Sequence, residues 1–168
     1  AFSPLPAGGP HTLAVSGADG RILIQDIVAG DVWLASGQSN MEFRVDQGAD
    51  AAREIASAHD PAIRHFKIPI SWAERPVDSL AGGAWTLADS QHVGGFSAVA
   101  YFFARELRQS QKVPIGIVNS TWGGSAIETW ISARAQGMTP DGPANAFAAE
   151  RHRIDSLGAV LRARLYDY

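Results

Sequence analysis

Three short apolar runs constrain the fold of this chain more than any other feature of its sequence. They lie at 31–36, 62–68 and 113–119, and their length suits strands that are covered on both faces. Residues 49–59 and 96–111 separate these runs and have the apolar spacing of helices. The predicted apolar stripe of the second helix consists of Phe96, Val99, Ala100, Phe103 and Leu107. Because strands alternate with helices, the sequence predicts an α/β fold with a parallel sheet.

The segments around this core predict a chain that is part of something longer. Residues 12–28 have the pattern of a β-hairpin, with Asp19-Gly20 as the turn signal. A hairpin is too short for a sandwich of its own, and three strands are few for an α/β sheet. We therefore interpret residues 1–29 as the end of an N-terminal β-sandwich domain and residues 30–168 as the N-terminal part of the α/β domain.

Two further segments carry weaker predictions. Residues 69–95 are rich in Pro, Gly and Trp without a lasting period, which predicts a long irregular surface segment near a functional site. Residues 126–135 are predicted to form a short helix, and an amphipathic last helix is predicted from residue 143 on.

Composition excludes several classes of function. The net charge is −3 and no basic run is present, so nucleic acid is not an expected partner. No apolar run approaches the roughly 20 residues of a membrane-spanning helix. The absence of cysteine excludes disulfides and a thiolate nucleophile. The histidines lack metal-ligand spacing, so we expect no metal or other cofactor and interpret them as surface or packing residues.

The stretch DVWLASGQSNMEF, residues 31–43, places a serine where an apolar strand ends. Ser39 follows a glycine and lies between two amides, Gln38 and Asn40. A serine at the carboxyl end of a parallel strand is well placed to act as a nucleophile, provided that a base and oxyanion donors are near. The alternative is structural, because Ser39 or Asn40 can cap the next helix.

A second stretch, IVNSTWGGSAIETW at 117–130, repeats the order of strand, polar turn and helix. Gly123 and Gly124 leave their N–H groups open to a ligand. If this turn lies beside Ser39, one of these amides can stabilise an oxyanion. The alternative is a tight connection that needs glycine for its backbone alone.

These motifs resemble the sialate O-acetylesterase-type carbohydrate esterases of the SGNH hydrolase superfamily. The resemblance covers AGGPHTLAV, GDVWLASGQSNM, FSAVAYFFAREL and GGSAIETW, in this order along the chain. It implies a three-layer α/β/α, flavodoxin-like hydrolase domain behind a β-sandwich, the removal of acetyl groups from sugars and a location outside the cytoplasm. It also implies that Ser39 is the nucleophile and that the N–H groups of Ser39 and of Gly123 or Gly124 bind the oxyanion.

Two blocks of the family pattern do not follow GGSAIETW in this chain. One is a Gln-Gly-Glu stretch near an Asn, and the other is the Asp-x-x-His that supplies acid and base. We therefore expect the base and acid from polypeptide outside these 168 residues, in the same gene product or in a complementary chain. The sequence DSQH offers Asp89 and His92 as an alternative pair, although it precedes the glycine turn.

Substrate contacts are predicted near the serine. Gln38 and Asn40 are candidates by position, and Trp72 and Trp85 by chemistry, since aromatic faces stack on sugar rings; a satellite core under the loop is the alternative for the tryptophans. The sequence thus predicts a serine esterase that acts on acetylated carbohydrates and leaves the sugar open. The alternatives are a noncatalytic carbohydrate-binding or scaffold protein on the same fold, and a lipase- or thioesterase-like hydrolase with a wider apolar groove.

Overall fold

The structure is a computed structural model that describes residues 5–71, 77–132 and 135 of the chain. It divides into two compact units. The second unit contains a short 3-10 helix at Ile127–Trp130, where a short helix was predicted. The predicted last helix lies outside the described residues. The strands and helices of the first unit are β1 (Gly8–Gly17), β2 (Gly20–Ala29), β3 (Asp31–Gly37), α1 (Ser39–Glu42), α2 (Ala51–Ser57), β4 (His59–Lys67), β5 (Trp85–Asp89), α3 (Ala98–Gln111) and β6 (Ile115–Thr121), with 3-10 helices at Val45–Gln47 and Val93–Gly95.

Strands β1 and β2 form the predicted hairpin as a separate two-stranded antiparallel sheet. Gly17 pairs with Gly20, so the two-residue loop is Ala18-Asp19, one residue earlier than predicted. Gly20 has a φ of +129°, which explains why glycine follows the aspartate. Whether this hairpin is the end of a sandwich stays a prediction.

The other four strands form one sheet in the order β3-β6-β4-β5. Strands β3, β6 and β4 are parallel, and Asp31 and Ile63 both lie in register with Ile115 of the central β6. The predicted α/β fold is therefore confirmed, and the three predicted runs are the three parallel strands. Strand β4 begins at His59 rather than at residue 62, because α2 ends at Ser57.

The prediction that residues 69–95 are irregular throughout is wrong. Residues 85–89 form β5, which pairs antiparallel with β4 and lies at the edge of the sheet. A five-residue strand with one neighbour is too short and too one-sided to leave a clear period in the sequence. The sheet accordingly has four described strands instead of three.

Helix α3 covers one face of the sheet and forms the core with it. Ile115 and Ile117 of β6 are each 1% exposed, and Ala104 of α3 is fully buried against them. Ser97 caps the helix by accepting a hydrogen bond from the Ala100 N–H. The predicted apolar stripe of this helix is partly wrong, because small alanines make the close contact while the larger side chains Val99 and Phe103 remain exposed in the described part of the chain.

The opposite face of the sheet is open within the described residues. Val32 and Leu34 of β3 project there and are 65% and 68% exposed. The structure therefore shows one helical layer on the sheet, and the third layer implied by the family resemblance is not among the described elements. No helix in the described part of the chain is long and apolar enough to cross a membrane.

Candidate active site

The serine turn and the glycine turn meet at the carboxyl edge of the parallel strands. Gly37, at the end of β3, lies in register with Thr121, at the end of β6. The Trp122 N–H donates to the Gly37 carbonyl at 3.0 Å. A Cβ placed on Gly123 would lie 3.7 Å from both Cα and Cβ of Ser39. The structure thus brings together the two motifs that the sequence analysis singled out.

Ser39 is the first residue of α1 and is exposed. Gly37 turns the chain out of β3 with a φ of +139°, a conformation that favours glycine. The N-cap is Gln38, which makes no side-chain capping hydrogen bond, so neither Ser39 nor Asn40 has the structural role proposed as the alternative. An N–H in the first turn of a helix has no acceptor within the helix. Within the residues that the structure describes, the Ser39 N–H donates to no acceptor, so it can bind a ligand.

The two glycines of the second turn differ in their surroundings. The Gly123 N–H donates to Oε2 of Glu42 at 2.6 Å. Gly124 has a φ of +76°, and no atom lies within 4 Å of a Cβ placed on it. Glu42 was missed in the sequence analysis. Its signal is its position three residues after Ser39, which puts both side chains on one face of the first helical turn.

Lys67 links Glu42 to the end of β6. Its Nζ lies 3.6 Å from Oε1 of Glu42 and donates to the Thr121 carbonyl at 3.0 Å and to the Thr121 hydroxyl. Burial lowers the pKa of Lys67, and the Glu42 carboxylate offsets part of this effect. A cation and an anion thus stand together beside the glycine turn.

His65 lies behind this pair in the core. It is 3% exposed, stacks on Phe96 with ring centroids 4.2 Å apart, and its Nε2 lies 3.1 Å from Nδ2 of Asn119. Burial, followed by the charge of Lys67, lowers the pKa of His65 to about 4. The imidazole is neutral near pH 7, and its Nε2 accepts a hydrogen bond from Asn119. His65 is thus a packing histidine, as the sequence analysis interpreted it.

An open groove of about 580 Å³ runs past the serine. Its lining is mixed, with charged and amide side chains next to one aromatic ring. Such a lining suits a polar ligand better than a lipid chain. The residues that line it are Ser39, Glu42, Phe43, Arg44, Gln47, Lys67, Gly95 and Asn119.

The structure does not bring Trp85 to this groove. Trp85 lies in β5, contacts Phe66 with ring centroids 5.5 Å apart, and covers Gly116 on the open face of the sheet. It lines a different groove, which shares no lining residue with the one at Ser39. The alternative that the sequence analysis gave for Trp85, a packing role under the loop, agrees better with this placement. Trp72 lies outside the described residues.

Asp89 lies at the amino-terminal end of the parallel strands, whereas Ser39 lies at their carboxyl end. Asp89 pairs with His59, at the first residue of β4, whereas Ser39 follows the last residue of β3. These two ends are roughly 20 Å apart, which is the length of β3. His92 is bonded to Asp89, with Nδ1 2.7 Å from Oδ1. Strand direction therefore argues against this pair as the partner of the serine.

A serine turn beside a glycine turn at the carboxyl end of parallel strands is an arrangement that suits hydrolytic chemistry on an α/β fold. Comparisons with known proteins narrow this class. The family model for carbohydrate esterase, sialic acid-specific acetylesterase, matches residues 29–153. The sialate O-acetylesterases of Rattus norvegicus and Homo sapiens are each 34% identical to this chain over 146 residues, which is 80% of it and 27% and 28% of their own lengths.

A solved structure gives the same result. The crystal structure of a carbohydrate acetylesterase from Xanthomonas citri is 51% identical in sequence and superposes with a TM-score of 0.78, covering 82% of this chain and 32% of that one. The chain belongs to the carbohydrate esterase family of sialic acid-specific acetylesterases. It spans about a third or less of the length of each of these relatives.

Proposed function

We propose that the complete protein is a serine esterase that removes O-acetyl groups from carbohydrates. The observation that carries this proposal is the contact between the Ser39 turn and the Gly123 turn at one edge of the sheet. The names of the relatives, sialate O-acetylesterase and carbohydrate acetylesterase, support the acetyl ester as the bond that is cleaved. The mixed polar lining of the groove favours a sugar over a lipid substrate.

The reaction follows from the groups at this edge. The Ser39 hydroxyl attacks the acetyl carbonyl carbon and loses its proton to a base, while the carbonyl electrons move to oxygen. The N–H groups of Ser39 and of the glycine turn stabilise this oxyanion. Collapse of the tetrahedral intermediate releases the sugar hydroxyl, which takes the proton from the base. Water then attacks the acetyl-enzyme in the same way and releases acetate.

The base and its orienting acid belong to a part of the protein outside these 168 residues. Two placements support this part of the proposal. The ring nitrogen Nε2 of His65 is engaged by Asn119 in the core, and His92 is bonded to Asp89 beyond the opposite edge of the sheet. Gln38 and Asn40 flank the nucleophile and are exposed, so they are positioned for polar contacts with the sugar. The location outside the cytoplasm stays a prediction that rests on the family resemblance alone.

Covalent labelling tests the nucleophile. The complete gene product is treated with a serine-directed phosphonate, and the adduct is located by peptide mass spectrometry. We expect the label on Ser39 and none in Ser39→Ala. Ser36→Ala, which removes the exposed hydroxyl three residues earlier, is the matched control and keeps the label. A label on another residue would contradict the mechanism, and the absence of any label with retained sugar binding would favour the noncatalytic alternative.

A further inference from the structure

The carboxylate of Glu42 lies between the glycine turn and the half-buried cation of Lys67. Its Oε2 accepts the Gly123 N–H at 2.6 Å, and its Oε1 lies 3.6 Å from Nζ of Lys67. The first contact is short even for a hydrogen bond to a charged acceptor. A Cβ on Gly123 would lie only 2.7 Å from the same Oε2, so the contact depends on the absence of a side chain there. Glu42 is therefore fitted to this turn.

Hydrogen bonds and an ion pair connect the three segments that surround the proposed oxyanion site. Glu42 and Ser39 belong to the same four-residue helix, α1. Lys67 is held in turn by the carbonyl and hydroxyl of Thr121, the last residue of β6. Because the glycine turn follows β6 directly, helix, turn and strand are each bonded to the next. A displacement of Glu42 would move the glycine turn relative to the nucleophile.

The Gly123 contact also divides the two glycines by role. An N–H that already donates at 2.6 Å to a carboxylate is not free for a substrate oxygen. In the part of the chain that the structure describes, no acceptor is bonded to the Gly124 N–H. Gly124 also has a positive φ, a conformation that favours glycine. Its amide is therefore the one that can donate to an incoming oxygen.

A carboxylate beside a developing oxyanion is unfavourable unless its charge is balanced. Lys67 provides this balance at 3.6 Å. On the basis of the function proposed above, we propose that Glu42 is a positioning residue that anchors Gly123, so that the Gly124 N–H is directed at the oxyanion, and that Lys67 neutralises its charge. Glu42 touches no reacting atom in this account and acts only through the turn.

The first measurement is steady-state hydrolysis of p-nitrophenyl acetate by the complete gene product. Glu42→Ala is expected to lower kcat about 100-fold with a change in KM of less than about threefold, because a misplaced donor affects the transition state more than substrate binding. Glu42→Gln recovers most of the loss, since its amide oxygen can still accept the Gly123 N–H. Glu106→Ala, which removes an exposed carboxylate from α3, leaves both constants unchanged.

A double-mutant cycle tests the charge balance. Lys67→Met leaves the Glu42 carboxylate uncompensated and lowers kcat in the parent protein. The same substitution costs less in the Glu42→Gln background, where no charge remains to be balanced. Additive effects of the two substitutions would overturn the assignment of Lys67 as the balancing charge.

Amide hydrogen exchange separates this inference from the proposed function. The Gly123 amide is expected to exchange faster in Glu42→Ala than in the parent, and at an intermediate rate in Glu42→Gln. An unchanged rate in Glu42→Ala, or an unchanged kcat, would overturn the positioning role. If the exchange rate responds as expected but Ser39→Ala still hydrolyses the ester, Glu42 anchors the turn and the proposed esterase mechanism is the part that fails.

Discussion

The two ends of the parallel strands hold different functional groups. The carboxyl edge has an exposed Ser39 beside the glycine turn, and no described side chain there is placed as its base. The opposite edge has a bonded carboxylate and imidazole, Asp89 and His92, with their atoms 2.7 Å apart, but they lie far from the serine turn. The exposed serine and the bonded carboxylate–imidazole pair thus lie at different ends of the strands.

The difference shows that sequence spacing decides whether Asp89 and His92 pair, whereas strand direction decides where in the fold the pair lies. The Asp-x-x-His spacing is sufficient to form the pair, because residues three apart in a turn face each other. Direction decides where the pair lies. Strand β5 runs antiparallel to β4, so its carboxyl end is at the amino edge of the parallel strands. The same four residues after a parallel strand would have emerged beside Ser39.

The largest effect should come from substitutions that set one edge against the other. Ser39→Ala is expected to lower kcat for acetyl ester hydrolysis by about 10⁴-fold or more, since the nucleophile acts as a unit with its base. His92→Ala is expected to leave kcat almost unchanged, because the pair lies at the wrong edge. Parallel assays of both variants of the complete gene product check this. A loss in His92→Ala as large as that in Ser39→Ala would remove the distinction between the edges.

The next largest effect is the pH dependence of stability caused by His65, which lies in the core and not at a strand end. The pKa of His65 is about 4 in the folded protein and 6.5 in the unfolded chain, so between these values the unfolded chain binds more protons. The free energy of unfolding should fall by on the order of 3 kcal/mol as the pH drops from 6.5 to about 4. Denaturant unfolding across this range measures the fall.

A pair of substitutions isolates the His65 contribution. His65→Gln removes the titration and keeps an acceptor for Asn119, so the pH dependence should flatten. His59→Gln removes an exposed histidine and should retain the parent slope. Equal slopes for both variants would show that His65 is not the group responsible.

The smallest effect sharpens the description of the carboxyl edge. Gly123→Ala places a methyl group 2.7 Å from Oε2 of Glu42 and in ordinary contact with Ser39. The end of the Glu42 side chain can give way, so we expect a loss in kcat of about tenfold and a folded protein. In a Glu42→Ala background the same substitution should cost less, because no carboxylate remains to be displaced. Kinetic assays of the four proteins test this, and equal costs in both backgrounds would contradict it.

The framework of the fold could be predicted because each element carries its own signal. Strands β3 and β6 are continuous apolar runs, and α3 spans residues 98–111 against a prediction of 96–111. Strand β5 could not be predicted because its place in the sheet comes from pairing with β4 and not from a period of its own. The apolar stripe of α3 was wrong at Val99 and Phe103 because distance to the sheet, which selects small side chains, is not visible in sequence spacing.

The candidate site also has features that the sequence predicts and features that it does not. The adjacency of Ser39 and the glycine turn could be predicted, since parallel strands end at one edge. The contact between Glu42 and Gly123 spans 81 positions and depends on the close approach of two turns, which no local pattern encodes. Trp85 was assigned to the substrate groove by its chemistry, whereas the pleat of β5 directs its ring onto Gly116 of the open face.

The junction between the hairpin and the sheet has a consequence for how this sequence can diverge. One residue, Gly30, joins β2 to β3, and a Cβ there would lie 2.1 Å from the Pro114 carbonyl oxygen, which already accepts the Asp31 N–H. Backbone cannot yield as a flexible side chain can, so any other residue would push β3 out of register with β6. Random mutagenesis under selection for folding should therefore return only glycine at position 30.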